Sequence, residues 1–400
     1  MTTDSSSSSD SPSRPTPHRV ELDPPSDRRA LLPEGPDTAH EDPAVPPEAA
    51  AQAHVDDADI QERIAGLVSD TAGADTDNFD RRLVGDMMTA ALKLIPDGRH
   101  TGELKLMAAA FKELRYAYRV FGPYAHRPKV TIFGSARTPE DHPDYLSAVK
   151  YSKLMADAGW MTITGAGDGI MKAGHEGPGR ESSFGVAIRL PFETSANEVI
   201  KGDEKLINFR YFFTRKLMFL SQCEAVVCFP GGFGTLDEAF ETLTLIQTGK
   251  AAMVPIVLVE GEHRERGYWN GFDRFVREQL LERGWVSPED PGLYYLADSP
   301  QDAAEHVLNF YRVYHSSRYV RDTLVIRLNR PVPEAFVESL NDEFKSLIKK
   351  GKIEQRGALE VEEDALDLPR LTFTHTRYHY GLVRKLIDRI NESSEVDAGN

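Results

Sequence analysis

Cysteine is nearly absent: Cys223 and Cys228 are the only two in 400 residues. They lie five residues apart, with no C-x-x-C spacing and no paired histidine nearby. Neither a disulfide framework nor a zinc cage can be built from them. Each reads as a small buried hydrophobe in a reducing compartment. Long apolar runs are missing too, and none approaches the roughly 18 residues that cross a bilayer. The first ten residues are polar and lack the apolar stretch of a secretory signal. The expected location is the cytoplasm, with no membrane partner. Nor is there a dense Lys/Arg run, and nucleic-acid binding needs a basic stripe; no nucleic-acid partner is expected.

What the chain holds in excess is acid. It has 47 Lys and Arg against 63 Asp and Glu, a formal net charge of −16. The imbalance is local: residues 1–78 carry 17 acidic and 5 basic side chains (−12), leaving 46 and 42 (−4) for the other 322. Residues 5–9 are all serine, and 10 of the 25 prolines precede residue 48. Such a segment buries too little surface to offset its ordering entropy, so residues 1–75 read as a disordered acidic Ser/Pro-rich tail.

Helical spacing then appears in Leu83, Met87, Ala90 and Ala91, and again in Leu106, Ala110, Phe111 and Leu114. Pro96-Asp97-Gly98 separates the two helices. Beyond Pro128, apolar strands alternate with helices. Strands are expected at 129–133, 160–164, 184–190, 225–229 and 254–259. Helices are expected at 145–158, 212–222, 236–247, 272–283 and 303–314. Continuously apolar strands alternating with helices predict a doubly wound, Rossmann-like α/β fold around a parallel sheet, spanning 76–318 with its N-terminal helices. Residues 319–400 read as a small α+β appendage, with strands at 323–328, 352–361 and 371–375 and helices at 333–349 and 381–390. His375 and His379 lie four apart without a fixed acidic third ligand and read as ordinary surface histidines, so no metal site is expected.

Three strand ends carry unusual glycine: Phe133-Gly134-Ser135-Ala136, Thr164-Gly165-Ala166-Gly167 and Pro230-Gly231-Gly232-Phe233-Gly234-Thr235. Strand ends of an open α/β sheet form the ligand crevice, and a helix N-terminus behind such a turn suits phosphate. No Gly-Lys-Ser/Thr follows, which excludes a P-loop. G-x-G-x-G is also not the dinucleotide fingerprint G-x-G-x-x-G. Thr235-Leu-Asp-Glu238 fits a capping box, which would make Glu238 structural, although a carboxylate there can also face a ligand. Arg215 and Lys216 sit in an apolar helix expected to be buried. A buried cation needs either an internal salt bridge or a ligand anion.

These residues resemble the Lonely Guy family, long labelled "lysine decarboxylase". Pro230-Gly231-Gly232-x-Gly234-Thr235-x-x-Glu238 is similar to its P-G-G-x-G-T-x-x-E motif, and Arg215-Lys216-x-Met218 to its R-K-x-M element. The likeness runs over residues 130–314, and the chain looks closer to the longer bacterial members. It departs where the family commonly has C-G-S-S and G-G-G, with Phe133-Gly134-Ser135-Ala136 and Gly165-Ala166-Gly167. The resemblance implies hydrolysis of nucleoside 5′-monophosphates, purine ones including the N6-modified cytokinin type, to free base and ribose 5-phosphate, with no cofactor. A non-catalytic nucleotide or molybdenum-cofactor carrier on the same fold is the alternative. It implies Arg215 and Glu238 as catalytic residues and Gly231, Gly232, Gly234 and Thr235 around the phosphate. Gly134, Ser135, Gly165 and Gly167 would line ribose and base, with Lys216 and Asp237 as helpers. A homodimer or larger homo-oligomer is also implied.

Overall fold

The computed structural model describes residues 54–73, 76, 78–189, 196–261 and 267–396. Three helices come first: α1 (Ala58–Thr71), α2 (Asn78–Lys93) and α3 (Thr101–Phe121). Most of the expected tail lies outside the described residues. Its last part is helical rather than disordered, because Ile60, Ile64, Leu67 and Val68 share one face at helical spacing, with Ile64 and Val68 buried.

Seven parallel strands follow, interleaved with helices. They are β1 (Lys129–Phe133), β2 (Met161–Thr164), β3 (Ser183–Ile188), β4 (Leu206–Phe209), β5 (Ala225–Cys228), β6 (Ile256–Val259) and β7 (Tyr294–Ala297). The helices are α4 (Pro143–Asp157), α5 (Ile170–Glu176), α6 (Phe212–Ser221), α7 (Phe233–Gln247), α8 (Tyr268–Phe275) and α9 (Pro300–Phe310). Strand order is β4-β3-β2-β1-β5-β6-β7. The chain therefore winds outward from β1 to β4, returns through α6, and winds the other way from β5. The crevice where the direction reverses lies between the C-terminal ends of β1 and β5, the usual ligand position in open α/β sheets.

Both faces of this sheet are covered, and alternate strand residues serve opposite cores. Ala225 and Val227 of β5 join Val130, Ile132, Tyr151 and Val307 on one face. Val226 and Cys228 join Ile163, Phe184, Met218 and Phe219 on the other. Phe184 is fully buried and stacks on Phe121 of α3, ring centroids 4.3 Å apart. Through that pair the N-terminal helices share the core of the sheet.

The remaining strands, β8 (Tyr314–Val320), β9 (Thr323–Leu328), β10 (Ile348–Arg356) and β11 (Arg370–His375), form a separate antiparallel sheet of order β10-β11-β9-β8. Helices α10 (Glu334–Glu343) and α11 (Tyr380–Val396) complete it. Its first strand begins five residues ahead of the expected boundary at 319, where a helix end is expected. The helix expected over 333–349 stops at Glu343, because Ile348 and Lys350 pair with His375 and Thr374 of β11. Strand pairing overrides the weak local preference of a Lys-rich stretch. His375 is not a surface histidine: it is fully buried and bonded to Tyr319 Oη at 2.5 Å. His379 pairs with Glu289 at 2.6 Å.

Candidate active site

The three glycine turns meet at the switch point and are bonded to one another through Ser135. Its amide donates to the Pro230 carbonyl at 3.1 Å, and its carbonyl accepts from the Ile170 amide at 3.0 Å. Side chains would not fit between them. A Cβ on Gly134 would lie 2.5 Å from Ile170, one on Gly231 would lie 2.1 Å from Thr235 Oγ1, and one on Gly169 would lie 2.3 Å from Ser135 O. Glycine is therefore what lets three turns crowd onto one sheet edge.

The turns floor a cleft of about 1200 Å³. Among the described residues its charged lining is three guanidinium groups, Arg137, Arg189 and Arg215, against one carboxylate, Glu238. A chain of net charge −16 thus presents a cationic cavity, which suits an anionic ligand.

Helix α7 enters from this floor with Gly232 at its N-cap. Thr235 is then the third helical residue and Glu238 the sixth, in the second turn, so the expected capping box does not form. The Thr235 amide and the Leu236 amide both donate to the Gly232 carbonyl, at 3.1 and 3.2 Å. The Thr235 amide is thus engaged within the helix, while the residue still lines the cleft. The amides of Gly232, Phe233 and Gly234 precede Thr235, the first amide bonded within the helix, and belong to the free donor end that suits an anion. Tyr268 Oη donates to the Gly231 carbonyl at 2.5 Å and so satisfies that oxygen.

Glu238 is only 4% exposed, lines the cleft, and its Oε2 has no hydrogen-bond partner among the described residues. Burial pushes its carboxyl up to about 7, against the opposing pull of the Lys216 and Arg215 cations. A buried carboxyl raised toward neutrality in a cleft is a chemically poised group.

Arg215, on α6, is flanked by the rings of Phe212 and Phe219, with its guanidinium carbon 5.2 and 5.3 Å from their centroids. Helix α6 is less buried than its apolar composition predicts. Phe212 and Phe213 are 54% and 53% exposed, and Phe212 helps line the cleft. Lys216, expected as a helper, does not itself line the cleft, yet its cation is the foremost charge acting on Glu238. It bridges Asp237 at 2.7 Å and Glu241 at 2.5 Å, outside the cleft lining. Asp237 goes with it, because neighbours on a helix point about 100° apart. Of the two cations, one is an internal salt bridge and the other faces the cavity.

Gly134, Ser135, Gly165, Gly167, Gly231, Gly232, Gly234 and Thr235 all line the cleft, as their positions in the turns imply. Ala166 adopts the left-handed φ of +66° yet is only 1% exposed. Its methyl lies 3.0 Å from where a Cβ on Gly185 would stand, so it packs beneath the cavity floor. Sequence reasoning passed over Arg137, Arg189, Asn208 and Tyr268, which line the same cleft from separate parts of the chain, Asn208 from β4 and Tyr268 from the start of α8. Only Arg189, at the end of β3, carried a signal, a lone cation following an apolar strand. The thiols take no part: burial pushes Cys223 up to about 12, and Cys228 is likewise raised. Among the described residues no cluster of three metal-ligating side chains occurs. No described helix is long and apolar enough to cross a membrane.

Comparison with known proteins agrees with this frame. Residues 165–307 match the family described as "Possible lysine decarboxylase". A protein named probable cytokinin riboside 5′-monophosphate phosphoribohydrolase from Oryza sativa subsp. japonica is 32% identical over 101 residues, 25% of this chain and 44% of that one. A cytokinin riboside 5′-monophosphate phosphoribohydrolase of Mycobacterium tuberculosis is 27% identical over 159 residues, 39% of this chain and 81% of that one. The chain thus spans less than half the length of the rice relative. Among solved structures, the molybdenum cofactor carrier protein of Chlamydomonas reinhardtii is 20% identical, covering 46% of this chain and 96% of its own, with a TM-score of 0.32.

Proposed function

Over its α/β unit the chain is a relative of the Lonely Guy phosphoribohydrolases, and on that premise we propose that it hydrolyses the N-glycosidic bond of nucleoside 5′-monophosphates. The observation that carries the reading is Glu238. It is a buried carboxyl whose Oε2 has no hydrogen-bond partner in the described structure, and it shares an otherwise cationic cleft with Arg215 beside a helix N-terminus.

The 5′-phosphate docks on the Gly232, Phe233 and Gly234 amides at the positive end of α7. Anchored there, the sugar is held rather than met by diffusion. The C1′–N bond breaks with its electron pair leaving on the base, and positive charge develops at C1′. Ionised Glu238 stabilises that charge and accepts a proton from the water that adds to C1′. Arg215, fixed between two rings, holds the anionic nucleotide and offers N–H groups to the departing base. The products are ribose 5-phosphate and the free base, which regains a proton. Purine nucleotides, including N6-modified AMP, are the favoured substrates, and Gly134, Ser135, Gly165 and Gly167 line the ribose and base side.

The test is a panel of AMP, GMP, CMP, UMP and isopentenyl-AMP, with ribose 5-phosphate as the readout. Release that disappears in Glu238→Ala and Arg215→Ala supports the reaction. Tight nucleotide binding with no release by the unsubstituted protein would overturn it in favour of a carrier.

A further inference from the structure

We infer that His175 is a positioning residue for the cleft-facing turn 165–167, acting through Asn197 as a hydrogen-bond relay. The role in ligand binding rests on the proposed nucleotide site; the relay itself does not.

The histidine belongs to the short helix α5 and is fully buried. A ring with two nitrogens in such a place must satisfy both. The Phe184 carbonyl can only accept, and it lies 3.0 Å from Nε2, so Nε2 carries the hydrogen. Thr164 Oγ1, 2.9 Å away, lies beside the same N–H. That leaves Nδ1 as an acceptor. The donor within reach is Asn197 Nδ2 at 3.1 Å. This choice fixes which way round the Asn197 amide sits, and the second Nδ2 hydrogen goes to the Gly167 carbonyl at 3.0 Å. Burial lowers the ring to about 4, so the acceptor stays unprotonated throughout the neutral range.

The turn is then held on three of its peptide groups. Asn197 Nδ2 binds Gly167 O, the Asn197 backbone amide donates to Ala166 O at 2.8 Å, and Thr164 Oγ1 accepts from the Ala166 amide at 3.1 Å. It needs holding, because Ala166 sits at a φ of +66° that residues with a side chain seldom adopt. Gly165, Ala166 and Gly167 all line the cleft with Arg215 and Glu238, so the relay sets the shape of one ligand-facing wall. A side chain that merely filled the core would need no matched donor and acceptor on opposite sides of its ring.

Two near-isosteric substitutions separate the relay from packing. His175→Asn retains an acceptor near the Nδ1 position, whereas His175→Gln retains a donor near Nε2 and loses the acceptor. His175→Asn is expected to keep the KM for AMP within about threefold of the unsubstituted protein. His175→Gln is expected to raise it roughly tenfold with kcat nearly unchanged, the loss of about one hydrogen bond. Asn197→Ala should match His175→Gln, and the double variant should add nothing further. Amide hydrogen exchange at residues 165–169, read without ligand, should accelerate in His175→Gln and Asn197→Ala but not in His175→Asn. Equal effects of the Asn and Gln substitutions on KM and exchange, or no effect of either, would overturn the relay. If His175→Gln does not fold, His175→Asn and His175→Leu decide through exchange: acceleration in His175→Leu but not in His175→Asn supports the relay, and equal exchange in both overturns it. An unsubstituted protein that releases no ribose 5-phosphate sinks the proposed reaction instead, and the exchange readout still judges the relay.

Discussion

Glu238 concentrates the chemistry at the scale of single residues. Its ordinary value is 4.5, and burial places it at about 7. If the ionised form does the work, kcat/KM for AMP should climb with pH and level off above about 7, with that limb absent in Glu238→Gln. The same displacement acts on stability with the opposite sense. A carboxyl whose native value is raised is most favourable below about 4.5, and its contribution is lost as pH rises through about 7. Glu238→Gln should therefore melt higher than the unsubstituted protein at pH 8, by up to roughly 3 kcal/mol, with the gain shrinking toward pH 5. A calorimetric scan at both pH values checks it; a gain that is equal at both would refute buried charge as its cause. Lys216→Ala should cost only about 0.2–1 kcal/mol and leave kcat above the pH limb within a few fold, because Lys216 and its partners lie outside the cleft lining, while loss of its pull should raise the Glu238 carboxyl further. Arg215 and Glu238 were legible in sequence because their motif spacing marks them. Their neighbours Lys216 and Asp237, expected as helpers, lie outside the cleft lining, because neighbours in a helix point in different directions.

At the scale of elements, the parallel strands with unbroken apolar runs were readable, and so were most of the helices between them. The short strands β4 and β7 escaped. Edge strand β4 alternates buried and exposed residues over only four positions, too few to register as a period. Strand β8, Tyr-His-Ser-Ser-Arg-Tyr-Val, carries polar residues at its centre and is a strand because Ser316 to Val320 pair with β9. No local pattern could announce that pairing. The glycine turns were visible, but their mutual bonding was not, since it links residues 135, 170 and 230. Gly231→Ala tests it: with a Cβ only 2.1 Å from Thr235 Oγ1, α7 must shift. The expected outcome is a loss of about 1–3 kcal/mol in stability together with loss of nucleotide binding, read by melting and by calorimetric titration.

The whole molecule depends on an appendage whose role the sequence left blank. Its centre is an ionic cluster: Glu362 accepts from Arg327 at 2.7 Å and from Arg370 at 2.8 Å, and Arg327 also bridges Asp364 at 2.6 Å. Burial alone would raise Glu362. The Leu359 amide and the two guanidinium groups outweigh it and hold the carboxyl below its ordinary range. That contribution is present above the unfolded value and is lost as pH falls through the native one. Glu362→Gln, which leaves buried Arg370 without a carboxylate and Arg327 with Asp364 alone, should cost about 3–5 kcal/mol at pH 7, and less in acid. Asn391 of α11 accepts from the Val313 and Tyr314 amides at 2.9 and 3.0 Å and donates to Phe310 O at 2.6 Å, so α11 pins the joint between the two sheets. Loosening the cluster should thus lower the melting temperature of the full chain without creating a second, separate transition.

Ser135 binds two other loops through its own backbone, and this has a consequence for building chimeras. Loops are usually the freely tradable parts of a scaffold, swapped singly between relatives to change what is recognised. Here the segments after β1, β2 and β5 form one knot tied by a single peptide unit at each side, so they make one heritable module. A transplant that carries any one of them alone brings a strand end fitted to neighbours it no longer has.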